Sequence, residues 1–422
     1  MTEPTAKYLA LPRYKRTEAG VIPEDWDIST LGLVSKTSSG TTPPRSMWER
    51  YFQNGHILWV KTLDLNNAEI RMTDESVTSV AVAETSLQLY PKGSVLVAMY
   101  GGYNQIGRTG LLTTAATINQ ALTAIRPDPK RLHSGYLLRV LNHRVAYWKA
   151  VASSSRKDPN ITGKDVATFP LALPRLAEQE AIAEALSDAD ALIESLERLL
   201  AKKRQIKQGT MQELLPGKKR LRGFSGEWEV KRLGEIANIR SGGTPSTLQP
   251  QFWDGDVLWC TPTDITALNG HKYLNTTNRT ISQQGLKSSS AELIPANSIT
   301  MTSRATIGEC AINQVPVTTN QGFKNFVPHE TTDTEFLYYL LVTQRQGFIS
   351  LCGGSTFLEI GKGQLASYEA RLPATKTEQT AIAAILSEMD VEITLLEEKL
   401  VKARAIKQGM MQELLTGRTR LV

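Results

Sequence analysis

The chain has 422 residues and a formal net charge of +6, so it is long enough for two or three domains and only moderately basic. This charge permits a nucleic-acid partner without requiring one. The three cysteines are scattered and odd in number, which excludes a disulfide framework and fits the reducing cytoplasm. No apolar run reaches about 18 residues and the N-terminus is polar, so we expect neither a membrane span nor a signal peptide.

The first domain, residues 1–175, is predicted to be a mixed α/β head. Its apolar run 93–99 follows a proline-containing turn and predicts a strand, whereas residues 136–142 predict a short helix. Polar loops rich in Ser, Thr, Asn, Gln and Gly separate such runs, and one of them spans residues 100–108.

Residues 176–217 predict a long helix, because its apolar residues recur at alternating steps of four and three. A second head, residues 218–373, repeats the pattern of the first, with a predicted strand at 297–302 and a predicted helix at 336–341. Residues 374–422 then form a second long helix and a tail. Each helix of roughly 38 residues would extend about 57 Å.

An internal repeat fixes this order of head, helix, head, helix. About 24 of the 40 residues between 178 and 217 are identical to the residue 200 positions later. The heads share only scattered anchors, such as Trp59 with Trp259 and Asn119-Gln120 with Asn320-Gln321. Two copies are too few for a solenoid and suit a pseudo-two-fold protein that binds something with two halves.

The two apolar seams predict that the long helices pair, antiparallel because a whole head lies between them. The alternative is that each amphipathic helix packs separately on its own head. The predicted interface consists of Ile182, Leu186, Ile193, Leu196 and Leu200 in the first helix and Ile382, Leu386, Met389, Ile393, Leu396 and Leu400 in the second.

Catalytic signatures are missing from the sequence. The five histidines form no metal-binding pair, and there is no phosphate-binding glycine loop, nucleophile elbow or adenine-methyltransferase motif. We therefore expect a non-catalytic recognition protein that binds no metal or cofactor.

The polar loops suit DNA reading, because Arg pairs with guanine, Asn and Gln pair with adenine, and Ser and Thr hold phosphates. Polar residues are also the default in loops, and the two Asn-Gln pairs can instead satisfy backbone groups within each head. The candidate DNA contacts are Arg45, Tyr103, Asn104, Gln105, Arg108, Arg156 and Lys157 in the first head and Arg240, Ser241, Thr244, Thr302, Ser303, Arg304 and Lys324 in the second.

The sequence resembles the specificity subunits of type I restriction–modification systems over essentially its whole length. The resemblance lies in the Glu-Gln-x-Ala-Ile-Ala and Lys-Gln-Gly-x-Met-Gln-Glu-Leu-Leu segments of both helices, the Ser-Gly-Gly-Thr-Pro-Ser loop at 241–246 and Thr302-Ser303-Arg304-x-x-Ile307-Gly308. The first head departs from this pattern, since it has Tyr-Gly-Gly-Tyr-Asn-Gln at 100–105 where the second has the Arg304 loop.

The resemblance implies two target recognition domains that read the halves of a bipartite, asymmetric site in double-stranded DNA, with the helices as a spacer. It also implies two methylation subunits, which supply S-adenosylmethionine and N6-adenine chemistry, and two restriction (translocase) subunits that use ATP and magnesium. Three other functions stay open: a stand-alone DNA-binding regulator, a coiled-coil assembly adaptor, and an enzyme whose site is unrecognised.

Overall fold

A computed structural model describes residues 13–153, 160–352 and 358–421. The chain divides into two compact units, unit 1 with Met1–Glu197 and Lys399–Val422 and unit 2 with Arg198–Glu398. Each unit therefore holds one head and a segment of each long helix. We call residues 13–175 head 1 and residues 218–373 head 2. The domain limits drawn from the sequence, which give each helix a segment of its own, stay a prediction.

Head 1 is a mixed α/β domain. Its strands are β1 (Tyr14–Thr17), β2 (Gly20–Pro23), β3 (Asp27–Thr30), β4 (Ser35–Ser39), β5 (Ile57–Val60), β6 (Glu69–Ile70), β7 (Glu75–Val77), β8 (Val95–Ala98), β9 (Thr109–Leu112), β10 (Thr117–Ile118), β11 (Leu122–Pro127) and β12 (Pro170–Leu173). Its helices are α1 (Leu31–Val34), α2 (Trp48–Tyr51), α3 (Ser79–Glu84), α4 (Ser134–His143), α5 (Val145–Ser153) and α6 (Gly163–Ala167).

Head 2 has the same succession of strands, and its described residues contain no equivalent of the β1–β2 hairpin. After the long helix α7 (Leu176–Leu214), its strands are β13 (Glu229–Arg232), β14 (Ala237–Ser241), β15 (Trp253–Cys260), β16 (Tyr273–Leu274), β17 (Arg279–Ile281), β18 (Ser298–Thr302), β19 (Cys310–Asn313), β20 (Thr318–Thr319), β21 (Phe323–Pro328) and β22 (Glu369–Leu372). Its helices are α8 (Leu233–Ile236), α9 (Pro262–Ala267), α10 (Gln283–Lys287), α11 (Thr334–Thr343), α12 (Arg345–Ser350) and α13 (Lys362–Ser367), and α14 (Lys376–Leu415) follows.

The sheets of the two heads have the same topology. Head 1 contains a five-stranded sheet in the order β4-β11-β8-β9-β6 and a three-stranded sheet in the order β10-β5-β7. Head 2 contains the equivalent orders β14-β21-β18-β19-β16 and β17-β15-β20. The five-stranded sheet is antiparallel except at β6–β9 and β16–β19, which pair parallel. The predicted strands and helices near residues 95, 298, 136 and 336 are confirmed as β8, β18, α4 and α11.

The long helices α7 and α14 contain 39 and 40 residues. Each ends before a glycine with positive φ, Gly217 at +72° and Gly417 at +69°, as a left-handed C-terminal cap requires. At the start of α14, Thr375 and Glu378 have the spacing of a capping box, which forms only in part. The Glu378 N–H donates to the Thr375 hydroxyl at 3.4 Å, but the Glu378 carboxylate binds other groups.

Within each unit, ion pairs join segments of α7 and α14 that run antiparallel. In unit 1, Glu197 pairs with Arg404 at 2.6 Å, and Asp190 pairs with Lys407 further along α14. In unit 2, Lys203 pairs with Glu392 at 2.6 Å and Arg204 pairs with Glu397 at 2.5 Å. Thus the predicted fold class, two mixed α/β heads with paired long antiparallel helices, is confirmed.

The start of each apolar seam packs into a head core, which corrects the expectation of a seam between helices alone. Ile182 and Leu186 are buried in a cluster with the helices and sheet of head 1 and with Leu414 and Leu415. In unit 2, Ile382 and Leu386 are buried in the corresponding cluster of head 2, and Met389 packs against it. The other predicted interface residues lie on the parts of α7 and α14 outside these two cores. Leu200, Ile393 and Leu400 are buried, and Ile193, Leu196 and Leu396 are half-buried.

The repeated Glu-Gln motif joins each helix to its head. In unit 2, the Gln379 amide oxygen accepts the Asp333 N–H at the start of α11 at 2.9 Å. In unit 1, Gln179 accepts the His133 N–H at the start of α4 at the same distance. Both glutamines are buried, so each amide satisfies a helix-start N–H that would otherwise lose its partner.

The glutamate of the same motif binds a tryptophan and an arginine in each unit, an arrangement we call the Trp–Glu–Arg cluster. In unit 2, the Trp228 indole donates to Glu378 at 3.2 Å, and the Arg220 guanidinium binds the same carboxylate at 2.7 Å. In unit 1, Trp26 and Arg420 bind Glu178 at 3.2 and 2.6 Å. Arg220 and Arg420 therefore dock the segments that follow α7 and α14 onto head 2 and head 1.

We predict that Arg220→Ala lowers the free energy of unfolding of the full chain. Glu378 is 2% exposed, so the variant leaves a buried carboxylate without its cationic partner. Chemical denaturation and hydrogen exchange at the first turn of α14 measure this loss of stability. The control is Arg222→Ala, which changes an exposed arginine nearby.

This loss should depend on pH. Arg220 holds the pKa of Glu378 below its ordinary value near 4.5. The pair is therefore fully stabilising above about pH 4.5 and stops contributing as the pH falls through the lowered pKa. The difference between wild type and Arg220→Ala should shrink in that acid range. A difference that stays constant down to pH 3 would show that Arg220 stabilises unit 2 through other contacts, such as its hydrogen bonds to the Gly226 and Ser225 carbonyls, and not through the Glu378 charge.

Candidate nucleic-acid interface

The Gly-Thr-Pro loop after the first strand of each main sheet is fixed on a buried tryptophan. In head 2, the Trp259 indole donates to the Gly243 carbonyl at 3.0 Å, and the Trp253 indole donates to the Ser246 carbonyl at 3.1 Å. In head 1, Trp59 donates to the Thr41 carbonyl at 3.3 Å. A Cβ at Gly242 would overlap the Asn320 carbonyl oxygen, so glycine is needed for the close approach of the loop.

The Asn-Gln turns contact these loops and accept hydrogen bonds within each head. This is the alternative to DNA contact that the sequence left open for the two Asn-Gln pairs. Asn320 accepts the Gly322 N–H at 2.9 Å, and Asn119 accepts the Ala121 N–H at 3.2 Å. The neighbouring glutamines accept hydrogen bonds from the loop threonines, Thr244 to Gln321 and Thr42 to Gln120. The Thr244 hydroxyl is therefore engaged within head 2 and half-buried.

The Arg304 loop lies beside the same turn. The Ser303 N–H donates to the Gly322 carbonyl at 2.7 Å, and Arg304 forms an ion pair with Glu359 at 2.9 Å. Ala305 has a positive φ of +56°, which a residue with a Cβ adopts only where its surroundings impose it. Arg304 is exposed at 46%, so its guanidinium faces solvent at the tip of a constrained loop.

Three predicted DNA contacts of head 2 lie in the interior instead. Thr302 and Ser303 are fully buried, and the Thr302 hydroxyl donates to the Thr306 carbonyl at 2.7 Å. Lys324 is 6% exposed, and its ammonium contacts the Ser303 hydroxyl at 3.4 Å. This burial is at odds with direct DNA contact from these side chains, because a buried side chain cannot reach a duplex at the surface. Their visible role is to hold the Arg304 loop.

The corresponding loop of head 1 presents different side chains. Gly101 and Gly102 have φ of +120° and +100°, Tyr103 is 49% exposed and Asn104 is exposed. Arg108 donates to the Gln105 side chain at 2.7 Å, and both are half-buried. The two heads therefore keep one scaffold and place different polar groups on it.

The remaining candidates have varied surroundings. Arg45 forms an ion pair with Glu75 at 2.6 Å and holds the pKa of this carboxyl below its usual value. Arg240 lies 4.0 Å from Glu292 and is half-buried, as is Ser241. Arg156 and Lys157 lie outside the described residues.

Sequence reasoning missed Arg279. In head 2 the Arg279 guanidinium lies 3.9 Å from the ring centroid of Trp253 and 5.4 Å from that of Trp259. Arg279 is the strand neighbour of Trp259 between β17 and β15, a pairing that the sequence could not show without the sheet register. We call the rings of Trp253 and Trp259 with the arginine stacked on them the tryptophan platform of head 2. The sequence signal for it was the two tryptophans of the segment 253–259, which predicts a strand.

The same platform in head 1 carries an arginine from another segment. The Arg45 guanidinium lies 4.6 Å from the Phe52 ring centroid and 5.2 Å from that of Trp59. The strand neighbour of Trp59 is Glu75, at the position that Arg279 takes in head 2.

The described part of the chain contains neither a metal-binding cluster nor a membrane-spanning helix. No group of three or more His, Cys, Asp or Glu side chains there could hold a metal ion. No described helix is long and apolar enough to cross a membrane. Cys260 and Cys310 are buried, and burial raises the pKa of both thiols, which is typical of core cysteines rather than nucleophiles.

Comparison with known proteins gives this arrangement a family. The type I restriction modification DNA specificity domain matches residues 23–207 and again residues 225–404. These two matches cover most of the chain and follow its internal repeat. The chain belongs to this family, which confirms the resemblance drawn from its sequence.

Relatives match the chain in part or in full. The type I restriction enzyme MjaIX specificity subunit of Methanocaldococcus jannaschii is 38% identical over 166 residues, which cover 39% of this chain and 38% of that protein. The MjaVIII specificity subunit of the same organism is 22% identical over 95% of this chain and 94% of its own length. The crystal structure of the S subunit of a type I restriction–modification system from M. genitalium covers 96% of this chain and 98% of its own with a TM-score of 0.59 and 15% identity, a likeness of fold.

We predict that Lys324→Met raises the free energy of unfolding by about 1 kcal/mol. Among the described residues, no carboxylate oxygen lies within 4.0 Å of the Lys324 ammonium, and burial lowers the pKa of Lys324 from its ordinary value near 10.5. The buried charge therefore costs stability, and methionine of similar length removes that cost. Chemical denaturation at pH 7 tests this prediction.

The pH dependence supplies a control. Because the folded pKa of Lys324 lies below the unfolded one, wild type should gain stability as the pH rises from the lowered pKa towards 10.5, and Lys324→Met should lack this gain. A variant less stable than wild type at pH 7 would show instead that the ammonium stabilises head 2 through its hydrogen bond.

Proposed function

We propose that this chain is the DNA sequence-specificity subunit of a type I restriction–modification complex. It reads a bipartite, asymmetric DNA site with its two heads and directs its partners there, and it catalyses no reaction itself. The single observation that carries the proposal is the repeated head scaffold with different solvent-facing groups, Arg304 in one and Tyr103 with Asn104 in the other. Two equal scaffolds with unequal loops suit a site whose halves differ.

The partners belong to the same proposal. Two methylation subunits would supply S-adenosylmethionine and methylate adenine at N6, and two restriction subunits would use ATP and magnesium to translocate and cut. The proposed setting is the cytoplasm. Support comes from the names of the relatives, which are specificity subunits of type I restriction enzymes, and from the family match along both repeats.

The helices offer a surface for such a partner in unit 2. In unit 2, Val391 and Leu395 lie one turn apart on α14 and are 59% and 50% exposed. They line a groove of about 670 Å³ together with Arg204 and Lys207 of α7 and His271 of head 2. Asp390 and Glu397 also line this groove and pair with Lys207 and Arg204, so the exposed apolar residues suit a partner helix with an apolar face.

Methylation sequencing of a host with and without the chain tests the function. We expect a methylated bipartite motif, with two unequal halves and a fixed spacer, that is present only when the chain is expressed with its methylation subunits. A host whose methylation pattern is the same in both cases would refute the proposal. Specific binding by the purified chain alone, without any methylation, would favour a stand-alone regulator.

We predict that Val391→Asp with Leu395→Asp abolishes assembly with the methylation subunits and leaves the fold intact. Both side chains are exposed, so the charges cost little in the free chain and would be buried unpaired in the complex. Size-exclusion chromatography measures assembly, and thermal unfolding of the chain alone measures its stability. Glu398→Lys, at an exposed acidic position of the same helix, is the matched control. Normal assembly of the double variant would place the partner elsewhere.

A further inference from the structure

In head 2, the Arg279 guanidinium that stacks on Trp253 carries a positive charge that no described carboxylate neutralises. Among the described residues, no carboxylate oxygen lies within 4.0 Å of the Arg279 guanidinium, and the side chain is exposed. An exposed arginine usually loses considerable rotamer entropy when it binds a ligand. Stacking at 3.9 Å over Trp253 removes part of that cost, because it holds the guanidinium in place beforehand.

The platform is mechanically joined to the loop that faces solvent. Trp253 and Trp259, which carry the Arg279 guanidinium, both donate hydrogen bonds to carbonyls of the loop 241–246. That loop is in turn tied by Thr244 to Gln321, beside the Arg304 loop. Arg279 is therefore fixed to the same rigid support as the exposed tip of head 2.

Head 1 builds the equivalent platform without a net charge. Arg45 takes the guanidinium position over Trp59, and Glu75 binds it through two hydrogen bonds of 2.6 and 3.1 Å. Lys61 lies in the same cluster and pairs with Glu75 and Asp74 at 2.7 and 2.8 Å. Two cations and two carboxylates cancel there, whereas Arg279 has no such counter-charge within the described ranges.

We propose that Arg279 binds a DNA backbone phosphate and that Glu75 suppresses the equivalent contact in head 1. A planar guanidinium matches two phosphate oxygens with parallel N–H donors, and the sugar–phosphate backbone receives about half or more of all protein–DNA hydrogen bonds. The inference rests on the proposed function and deepens it, because it makes head 2 the half of the protein that contributes this salt-dependent contact.

Binding of the full chain, assembled with its methylation subunits, tests the inference. The probes are a fluorescent duplex with the methylated motif and a duplex of unrelated sequence, each titrated between 50 and 200 mM salt. Arg279→Ala should weaken binding to both duplexes by about the same factor, on the order of 10-fold, and should lower the slope of log affinity against log salt by about 1. Arg279→Lys should recover the salt slope but only part of the affinity.

Head 1 supplies a gain-of-function test. Glu75→Gln keeps the shape of the side chain, leaves the Lys61–Asp74 pair in place and frees the charge of Arg45. We expect tighter binding to both duplexes and a steeper salt slope. Arg232→Ala, which changes an exposed arginine next to Glu369 in head 2, is the control and should change neither quantity.

Each failure has its own meaning. If the Arg279→Ala complex binds both duplexes with the same affinity and the same salt slope as wild type, the phosphate contact is overturned. The proposed function then still stands. Loss of affinity for the motif duplex alone also overturns it, since a base edge would then be the ligand. A wild-type complex that does not prefer its motif duplex refutes the proposed function. Matching thermal unfolding curves exclude misfolding as the cause of any change.

Discussion

The fold depends on a buried carboxylate in the first turn of each long helix. Glu178 and Glu378 are each 2% exposed and each accept an indole N–H and an arginine. A buried carboxylate without both partners would cost several kcal/mol, so the head tryptophan and the tail arginine must be present together. Their joint requirement ties three separated stretches of sequence into one unit.

This requirement explains why the helices are alike where the heads are not. The glutamate binds the tail arginine, the following glutamine binds the first N–H groups of α4 or α11, and Ile182 or Ile382 enters the head core. A change at any of these positions leaves a buried group unpaired or a cavity. Loop residues such as Tyr103 carry no such constraint, so duplication can be followed by divergence there.

The sequence predicts the features that periodicity and repetition encode. Seven-residue spacing predicts α7 and α14, and short apolar runs predict β8 and β18. Strand pairing is not local, so the burial of Thr302, Ser303 and Lys324 could not be read from polarity. For the same reason Arg279 was missed, because its neighbour Trp259 is about 20 positions away.

The two tryptophan platforms show how one scaffold accepts two electrostatic solutions. Trp59 and Trp259 must stay, because each indole satisfies a carbonyl of the loop above it. An aromatic face left bare to water is unfavourable, and a guanidinium covers it from whichever strand or turn can reach. Arg45 lies in a turn and Arg279 lies in a strand, and both guanidinium groups pack on a tryptophan ring. This packing requires an arginine in each head, but it does not require a carboxylate beside that arginine. The net charge at equivalent positions of the two heads can therefore differ while the fold stays the same.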